Sequence, residues 1–139
     1  MSVGIINDPG RNVIAWFEMP VRRIAEAAPF YTAVFGVTID ETTINGQKFG
    51  IVISNGPAQL NNGVLVECGD SYTPCNPCND AAMHYFEVDN QPQLNAVLQN
   101  VAANGGVVIS QPTVFHPLLG SKATFLDNQG NLIGIRATG

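Results

Sequence analysis

Apolar and polar residues alternate in several short runs along the chain, and this alternation predicts β-strands. The predicted strands cover residues 12–19, 37–44, 47–54, 63–68, 81–88, 107–110, 122–126 and 131–137. In the first of them Trp16 and Glu18 share one face while Phe17 and Met19 share the other, because successive side chains point to opposite sides. Asn45-Gly46, between the second and third runs, is a strong signal for a tight hairpin turn.

Two stretches have the spacing of a helix instead. Residues 22–35 place apolar side chains at helical intervals, and Gly36 is expected to end that helix in a left-handed conformation. Pro29 predicts either a kink in this helix or a regular part that begins near the proline. The second helix is predicted over residues 92–104, with Asn90 as a candidate cap and Gly105-Gly106 as its end.

The same order of predicted elements occurs twice along the chain. Phe17-Glu18 recurs as Phe86-Glu87, and the same spacing carries Gly36 to Gly105. A strand, a helix and three strands then form each half, which predicts an α+β protein of two βαβββ modules. Module one covers about 12–68, a linker 69–80 and module two 81–137, within a single domain 1–139. One helix covers only one face of four strands, so we expect the two sheets to join into a cup.

Composition narrows the function classes. The chain has 139 residues, of which 45% are hydrophobic and 12% are charged, which is enough for one packed core. Its formal net charge of −5 argues against sequence-independent binding of nucleic acid. No apolar run approaches the ~20 residues that span a bilayer, so no membrane role is expected. The first ten residues are not typical of a secretory signal, which predicts a cytoplasmic location.

Several motifs resemble a known superfamily. Residues 16–21 and 30–36 resemble the first module of the glyoxalase/bleomycin-resistance/dioxygenase superfamily, also called vicinal oxygen chelate proteins. Gly105-Gly106-Val107-Val108 and Asp127-Asn128-Gln129-Gly130-Asn131 resemble its "GGxVV" and "D-x-x-G-N" signatures, and residues 69–74 resemble a linker found in small members. The resemblance extends over about residues 12–137 and implies a cupped mixed sheet. It leaves the activity open, since this fold carries isomerases, ring-cleaving dioxygenases, thiol transferases and drug binders.

The resemblance also implies a divalent metal held by His, Glu or Gln on the first and last strand of each module. The corresponding positions in this sequence are Trp16, Met83 or Tyr85, Val66 or Glu67, and Gly134. Only Glu67 among them is a suitable ligand, so we expect a cup that has lost its metal and holds no cofactor. A metal clamp formed by Glu18 and Glu87 is an alternative, as is an ion pair between one of these carboxylates and Arg136.

A small organic ligand is the expected occupant of such a cup. The predicted site has an apolar part, formed by Trp16, Met83 and Tyr85, and a polar part, formed by Glu18, Glu87 and Arg136. His116, in a predicted loop flanked by proline, would border it, whereas His84 would point to the other face. Alternatively, Trp16 and Met83 fill a small core.

Three function classes remain open from the sequence. The first is a metal-free small-molecule binder of the bleomycin-resistance type, acting as a homodimer, and the net charge of −5 fits the cationic or aromatic drugs that such members bind. The second is a metal-dependent lyase, isomerase or dioxygenase of the same superfamily, with a site rebuilt from Glu18, Glu67 or Glu87 together with His116. The third is an interaction module without a ligand. Cys68, Cys75 and Cys78, with His84, also leave open a structural zinc site.

Overall fold

A computed structural model describes residues 16–55, 61–74 and 82–138 of the chain. Residues 12–15 and 81 of the predicted strands, and the candidate zinc ligands Cys75 and Cys78, lie outside the described residues. The elements are β1 (Phe17–Val21), α1 (Ile24–Phe35), β2 (Thr38–Ile44), β3 (Gln47–Ile53), β4 (Asn61–Glu67), β5 (Tyr85–Val88), α2 (Gln91–Ala103), β6 (Val107–His116), β7 (Gly120–Leu126) and β8 (Leu132–Ala137).

These elements form two four-stranded sheets with the same topology. The first sheet has the order β1-β4-β3-β2 and the second has the order β5-β8-β7-β6. In each sheet the first and last strands of the module are parallel and the other neighbours are antiparallel. The prediction of two βαβββ modules in an α+β fold is therefore confirmed. Among the described residues, neither helix is long and apolar enough to cross a membrane.

The turn and cap residues behave as the sequence predicts. Gly36 has a φ of 72°, and its N–H donates to the carbonyl oxygen of Thr32 at 2.9 Å. Asn90 caps α2, because its side-chain oxygen accepts a hydrogen bond from the backbone N–H of Gln93 at 2.9 Å. Helix α1 begins at Ile24 and runs through Pro29, so the alternative in which it begins near Pro29 is wrong.

The start of α1 is capped by other parts of the chain. Arg23 occupies the cap position but provides no side-chain cap. Glu67, at the end of β4, accepts a hydrogen bond from the N–H of Ile24 at 3.0 Å, and Gln129 accepts one from the N–H of Arg22 at 2.7 Å. Gln129 belongs to the turn between β7 and β8, so the second module completes the helix of the first.

Helix α1 lies between the two sheets. Ile24 packs over Gly50 in β3, a middle strand of the first sheet. On another side of the helix, the rings of Phe30 and Phe35 each lie 6.2 Å from the ring of Phe125 in β7, a middle strand of the second sheet. A helix about 10 Å wide can touch middle strands of both sheets only if it is sandwiched between them. One core therefore fills the space between the sheets.

A buried carboxylate organises the turn between β7 and β8, where the second module contacts α1 of the first. Asp127 is 3% exposed and accepts a hydrogen bond from the hydroxyl of Tyr31 in α1 at 2.6 Å. It also accepts bonds from the backbone N–H groups of Gln129 and Asn131 at 2.9 and 2.8 Å. Burial raises the pKa of this carboxyl, although its hydrogen bonds act in the opposite direction. The "D-x-x-G-N" motif therefore has a structural role at the interface of the modules.

Strand β6 is longer than the sequence predicts. The alternation indicates a strand over residues 107–110 and a loop containing His116, but β6 continues to His116, which pairs with Gly120. The prediction of a loop at His116 is therefore wrong. The register of β6 shifts at three places, and these irregularities break the alternation that predicts a strand.

Candidate functional site

Each sheet has an inner face that packs on the helices and an outer face that does not. We call these the first and the second outer face. The first outer face consists of Glu18, Pro20, Thr38, Asp40, Thr42, Phe49, Ile51, Ile53, Val64 and Val66. The second consists of Tyr85, Glu87, Val107, Ser110, Thr113, Lys122, Thr124, Leu126, Leu132, Gly134 and Arg136. Because the helices lie between the sheets, the two outer faces point away from each other.

The two outer faces differ in charge. The first has an aliphatic centre, which includes Ile51 and Val64, with the carboxylates of Glu18 and Asp40 at its two edges. No lysine or arginine belongs to it among the residues defined above. The second carries two cations, Lys122 and Arg136, together with Glu87. The faces are thus complementary in charge, although the chain as a whole is acidic.

An aromatic ring lies flat on a glycine in the second outer face. Tyr85 in β5 is paired with Gly134 in the neighbouring β8. A Cβ atom added at Gly134 would stand 2.5 Å from two ring carbons of Tyr85, which means that the ring occupies the space where a side chain at 134 would be. The exposed fraction of Tyr85 is 42%, so the upper side of the ring is open to a ligand.

The residues that the sequence singles out as ligand-binding do not all meet within one chain. Trp16 and Glu18 adjoin or belong to the first outer face, and Trp16 is 47% exposed. Tyr85, Glu87 and Arg136 share the second outer face, as predicted. Two further candidates complete the set: Met83, half-buried just before β5, and His116, exposed at the end of β6.

The predicted partner of Arg136 is not found. Glu87 stands beside Arg136 in the register of β5 and β8, yet no ion pair joins Arg136 to Glu87 or Glu18 within the described part of the chain. Instead, the Nε of Arg136 donates to the carbonyl oxygen of Leu119 at 3.0 Å. Both glutamates are exposed.

Two other candidates face the helices. Glu67 belongs to the inner side of β4, where it caps α1 and its second oxygen lies 3.9 Å from the Nζ of Lys48. His84 packs its ring 5.3 Å from the ring of Phe17, which agrees with the prediction that it points away from Tyr85. Burial lowers the pKa of His84. Neither side chain contributes to the outer faces.

Comparison with known proteins identifies the family. The sequence model of the Glyoxalase/Bleomycin resistance protein/Dioxygenase superfamily matches residues 13–135. The chain belongs to this superfamily. None of the curated proteins compared matches it.

Solved structures of the glyoxalase superfamily share the fold at low sequence identity. A glyoxylase/bleomycin resistance protein/dioxygenase domain from Frankia sp. EAN1pec has 16% identity and a TM-score of 0.71, with 94% of this chain and 100% of that one covered. An antibiotic-binding protein from Streptomyces sp. CB03234 has 20% identity and a TM-score of 0.63, with coverages of 95% and 100%. Glyoxalase I from Zea mays has 15% identity and a TM-score of 0.66, with coverages of 89% and 45%.

The resemblance to the superfamily implies a divalent metal, but the residues at the corresponding positions are not suited to hold one. Gly134 has no side chain, and Tyr85 covers it. Glu67 is turned to the helix layer, and Trp16 offers no ligand atom of the required kind. Within residues 16–55, 61–74 and 82–138, no group of three or more His, Cys, Asp or Glu side chains could hold a metal ion.

Two residues beside Arg136 and Gly134, Lys122 and Thr124, are not among the candidates that the sequence singles out. Both lie on the second outer face, opposite Arg136 and Gly134 respectively. The alternation in β7 indicates that their side chains share one face, because Ala123 and Phe125 are apolar. The register that brings them beside β8 depends on the turn at Asp127, and the sequence does not reveal that register.

Proposed function

We propose that this protein binds a small organic ligand without a metal, and that the binding site forms between the first outer face of one copy and the second outer face of another. The observation that carries this proposal is the ring of Tyr85 lying on Gly134. Gly134, and Tyr85 as the alternative to Met83, are positions at which the resemblance implies metal ligands. An aromatic platform with an open upper side suits contact with an organic molecule better than coordination of an ion.

Apolar contact area on both faces supports this proposal. The first outer face provides Phe49, Ile51 and Val64, and Trp16 adjoins it. The second provides Tyr85 and a row of aliphatic side chains formed by Leu126, Leu132 and Val107. Aromatic and aliphatic walls with a few charged groups are typical of small-molecule sites.

A second copy is needed to enclose a ligand. The outer faces of one chain point away from each other, so a ligand on either face remains open to solvent on one side. The first face carries Glu18 and Asp40 at its edges and the second carries Lys122 and Arg136, so their opposite charges favour the approach of two copies and leave both cations facing the enclosed space. A two-fold axis would then generate two equivalent sites. We therefore propose a homodimer, and the cytoplasmic location stays a prediction.

The relative from Streptomyces, described as an antibiotic-binding protein, agrees with this ligand class at the level of the fold. At 20% identity it carries no residue-level argument.

Two measurements test the proposal. The first is elemental analysis of protein purified without chelator or nickel affinity, with the expectation of less than about one tenth of an equivalent of any divalent ion. The second is the fluorescence of N-phenyl-1-naphthylamine, an uncharged aromatic probe, titrated with the protein. We expect saturable binding that Trp16→Ala and Tyr85→Ala each weaken by about fivefold or more, in line with the loss of one aromatic contact.

A matched control is Leu118→Ala, because Leu118 is 85% exposed at the tip of the β6–β7 hairpin and belongs to neither outer face. Its probe affinity should equal that of the unmodified chain. One equivalent of a bound metal, lost on Glu18→Gln or Glu87→Gln, would establish the enzyme-like alternative instead. Absence of probe binding, or unfolding of Trp16→Ala, would favour a core or interaction role for these aromatic residues.

A further inference from the structure

Two cations lie side by side on the second outer face. Lys122 in β7 is directly opposite Arg136 in β8. Like charges in directly opposed positions of an antiparallel pair are destabilising. Neither side chain makes an ion pair with any carboxylate among the described residues. The pair is therefore a local positive charge with no ion-pair partner among the described residues, on a chain whose net charge is −5.

Arg136 is oriented away from the nearest carboxylate. Glu87 in β5 stands on one side of β8, whereas Leu119, which accepts the Nε hydrogen bond, leads into β7 on the other side. This bond holds the Nε of Arg136 on the β7 side of β8, the side on which Lys122 lies. The remaining N–H donors of Arg136 have no acceptor in the part of the chain that the structure describes. A guanidinium held by one nitrogen retains the planar donor edge that binds carboxylate or phosphate.

Lys122 is also held in place. Its Nζ lies 5.1 Å from the centre of the Phe115 ring, a geometry in which the ring attracts the ammonium. Such contacts contribute about 0.5–1 kcal/mol at exposed sites. Thr113 stands beside Lys122 in the register of β6 and β7, and no carboxylate occupies that position. The ammonium can therefore donate hydrogen bonds to a group placed above the sheet.

A row that includes three small residues adjoins the two cations on the second outer face. The next row of the second outer face runs from Tyr85 through Gly134 and Thr124 to Ser110. Its last three members are small, and the hydroxyls of Ser110 and Thr124 lie 2.8 Å apart in a hydrogen bond. A planar molecule stacked on the exposed Tyr85 ring would extend along this row, with the cations along one side.

We propose that Lys122 and Arg136 bind an acidic group of the ligand, such as a carboxylate, sulfonate or phosphate, while its planar part lies over Tyr85 and Thr124. This inference rests on the proposed function and adds the ligand class: an aromatic anion rather than a cation. Hydrogen bonds between ionised partners are stronger than neutral ones, and two donors from adjacent strands fix the orientation of the bound group. The local charge of the sheet, not the net charge of the chain, sets this preference.

The test compares two probes that differ by one group. 1-Anilinonaphthalene-8-sulfonate carries a sulfonate on the ring system of N-phenyl-1-naphthylamine, which is uncharged. We expect Lys122→Gln and Arg136→Gln each to weaken binding of the sulfonate by about fivefold and to leave the uncharged probe within about twofold, as expected for a partly exposed charge contact. Lys48→Gln removes the same charge on the inner face and should leave both affinities unchanged.

Two further measurements make the result independent of folding defects. Arg136→Lys keeps the charge and should retain more sulfonate affinity than Arg136→Gln. On the unmodified chain, sodium sulfate at constant ionic strength should displace the sulfonate probe and not the uncharged one. Equal weakening of both probes, or no effect of sulfate, would overturn the anion site while leaving the binding function intact. Conversion of the Lys122→Gln protein to a monomer would show that the cations serve the contact between copies, and would overturn their assignment to the ligand. Failure of both probes to bind would overturn the binding function and the anion site together.

Discussion

The carboxylate of Glu67 accepts a hydrogen bond from the backbone N–H of Ile24 at 3.0 Å, although β4 and the start of α1 are distant in sequence. A negative charge at this end of a helix is favourable because the unpaired N–H groups and the helix dipole both attract it. Glu67 thus replaces the side-chain cap that Arg23 does not provide. Its role is to stabilise α1, so it is not available to a metal on the outer face.

Replacing Glu67 should therefore change stability and not binding. Glu67→Ala is expected to lower the free energy of unfolding by about 1–2 kcal/mol, since it removes a helix cap. Glu67→Gln keeps an acceptor and should cost less. Urea denaturation measures both, and the uncharged naphthylamine probe measures binding. A loss of bound metal in Glu67→Ala without loss of stability would contradict this role.

The contact between Tyr85 and Gly134 predicts a coupled pair of substitutions. Gly134→Ala places a methyl group where the Tyr85 ring lies, 2.5 Å from its nearest carbons, so the ring must move. We expect a loss of about 1–3 kcal/mol in the free energy of unfolding, as for other overpacked sites. In the double variant with Tyr85→Ala this penalty should largely disappear, giving a coupling energy of about 1 kcal/mol or more in a double-mutant cycle. Additive effects would mean that the ring does not cover Gly134 in solution.

The burial of His84 predicts how stability depends on pH. Because burial lowers its pKa, the unfolded chain takes up a proton at His84 more readily than the folded chain does. Above the unfolded pKa of about 6.5 this residue has no effect, and below it the stability should fall until the folded pKa is passed. His84→Phe keeps a ring against Phe17 and should reduce the fall between pH 7 and pH 5. Urea denaturation of both proteins at each pH gives the difference in their free energies of unfolding. Because both proteins contain Asp127, its contribution cancels in this difference. An unchanged slope would show that His84 is not desolvated.

If the dimer forms as proposed, a charge introduced into the first outer face should separate the two copies. Ile51→Asp introduces a carboxylate into the aliphatic centre of the first outer face, between Val64 and Asp40 in the register. We expect this variant to sediment as a monomer with a native circular dichroism spectrum. The control is Ala96→Asp, which adds the same charge on the exposed side of α2 and should leave the dimer intact. If the unmodified chain is a monomer at micromolar concentration, the two outer faces do not pair.

The sequence predicts the elements well where local chemistry decides them. Gly36 and Asn45-Gly46 adopt the left-handed conformations expected of them, and Asn90 caps α2. The prediction from sequence fails at β6, because bulges in that strand interrupt the alternation of apolar and polar residues by which strands are recognised. Pro29 is accommodated within α1, because tertiary packing on both sides of the helix outweighs a local preference.

The site is less predictable than the fold. Alternation alone groups Tyr85, Glu87 and Arg136 on one face, and the register confirms that grouping. It does not reveal that Trp16 and Tyr85 belong to faces pointing apart, because that depends on α1 packing against both sheets. The alternation also does not reveal the orientation of Arg136, because that depends on its hydrogen bond to the carbonyl oxygen of Leu119 in the β6–β7 hairpin.

The capping of α1 by Gln129 has a consequence for synthesis of the chain. The N–H groups of Arg22 and Arg23 find their acceptor in the turn that precedes the last strand. A nascent chain that has emerged only as far as β4 has the carboxylate of Glu67 for this helix but lacks the amide of Gln129 and the ring of Phe125. Since synthesis proceeds from the N-terminus, the first half has an incomplete helix end and an exposed apolar side until the turn between β7 and β8 has left the ribosome. A chain truncated just before Asp127 should therefore lose stability in the first module as well as in the second.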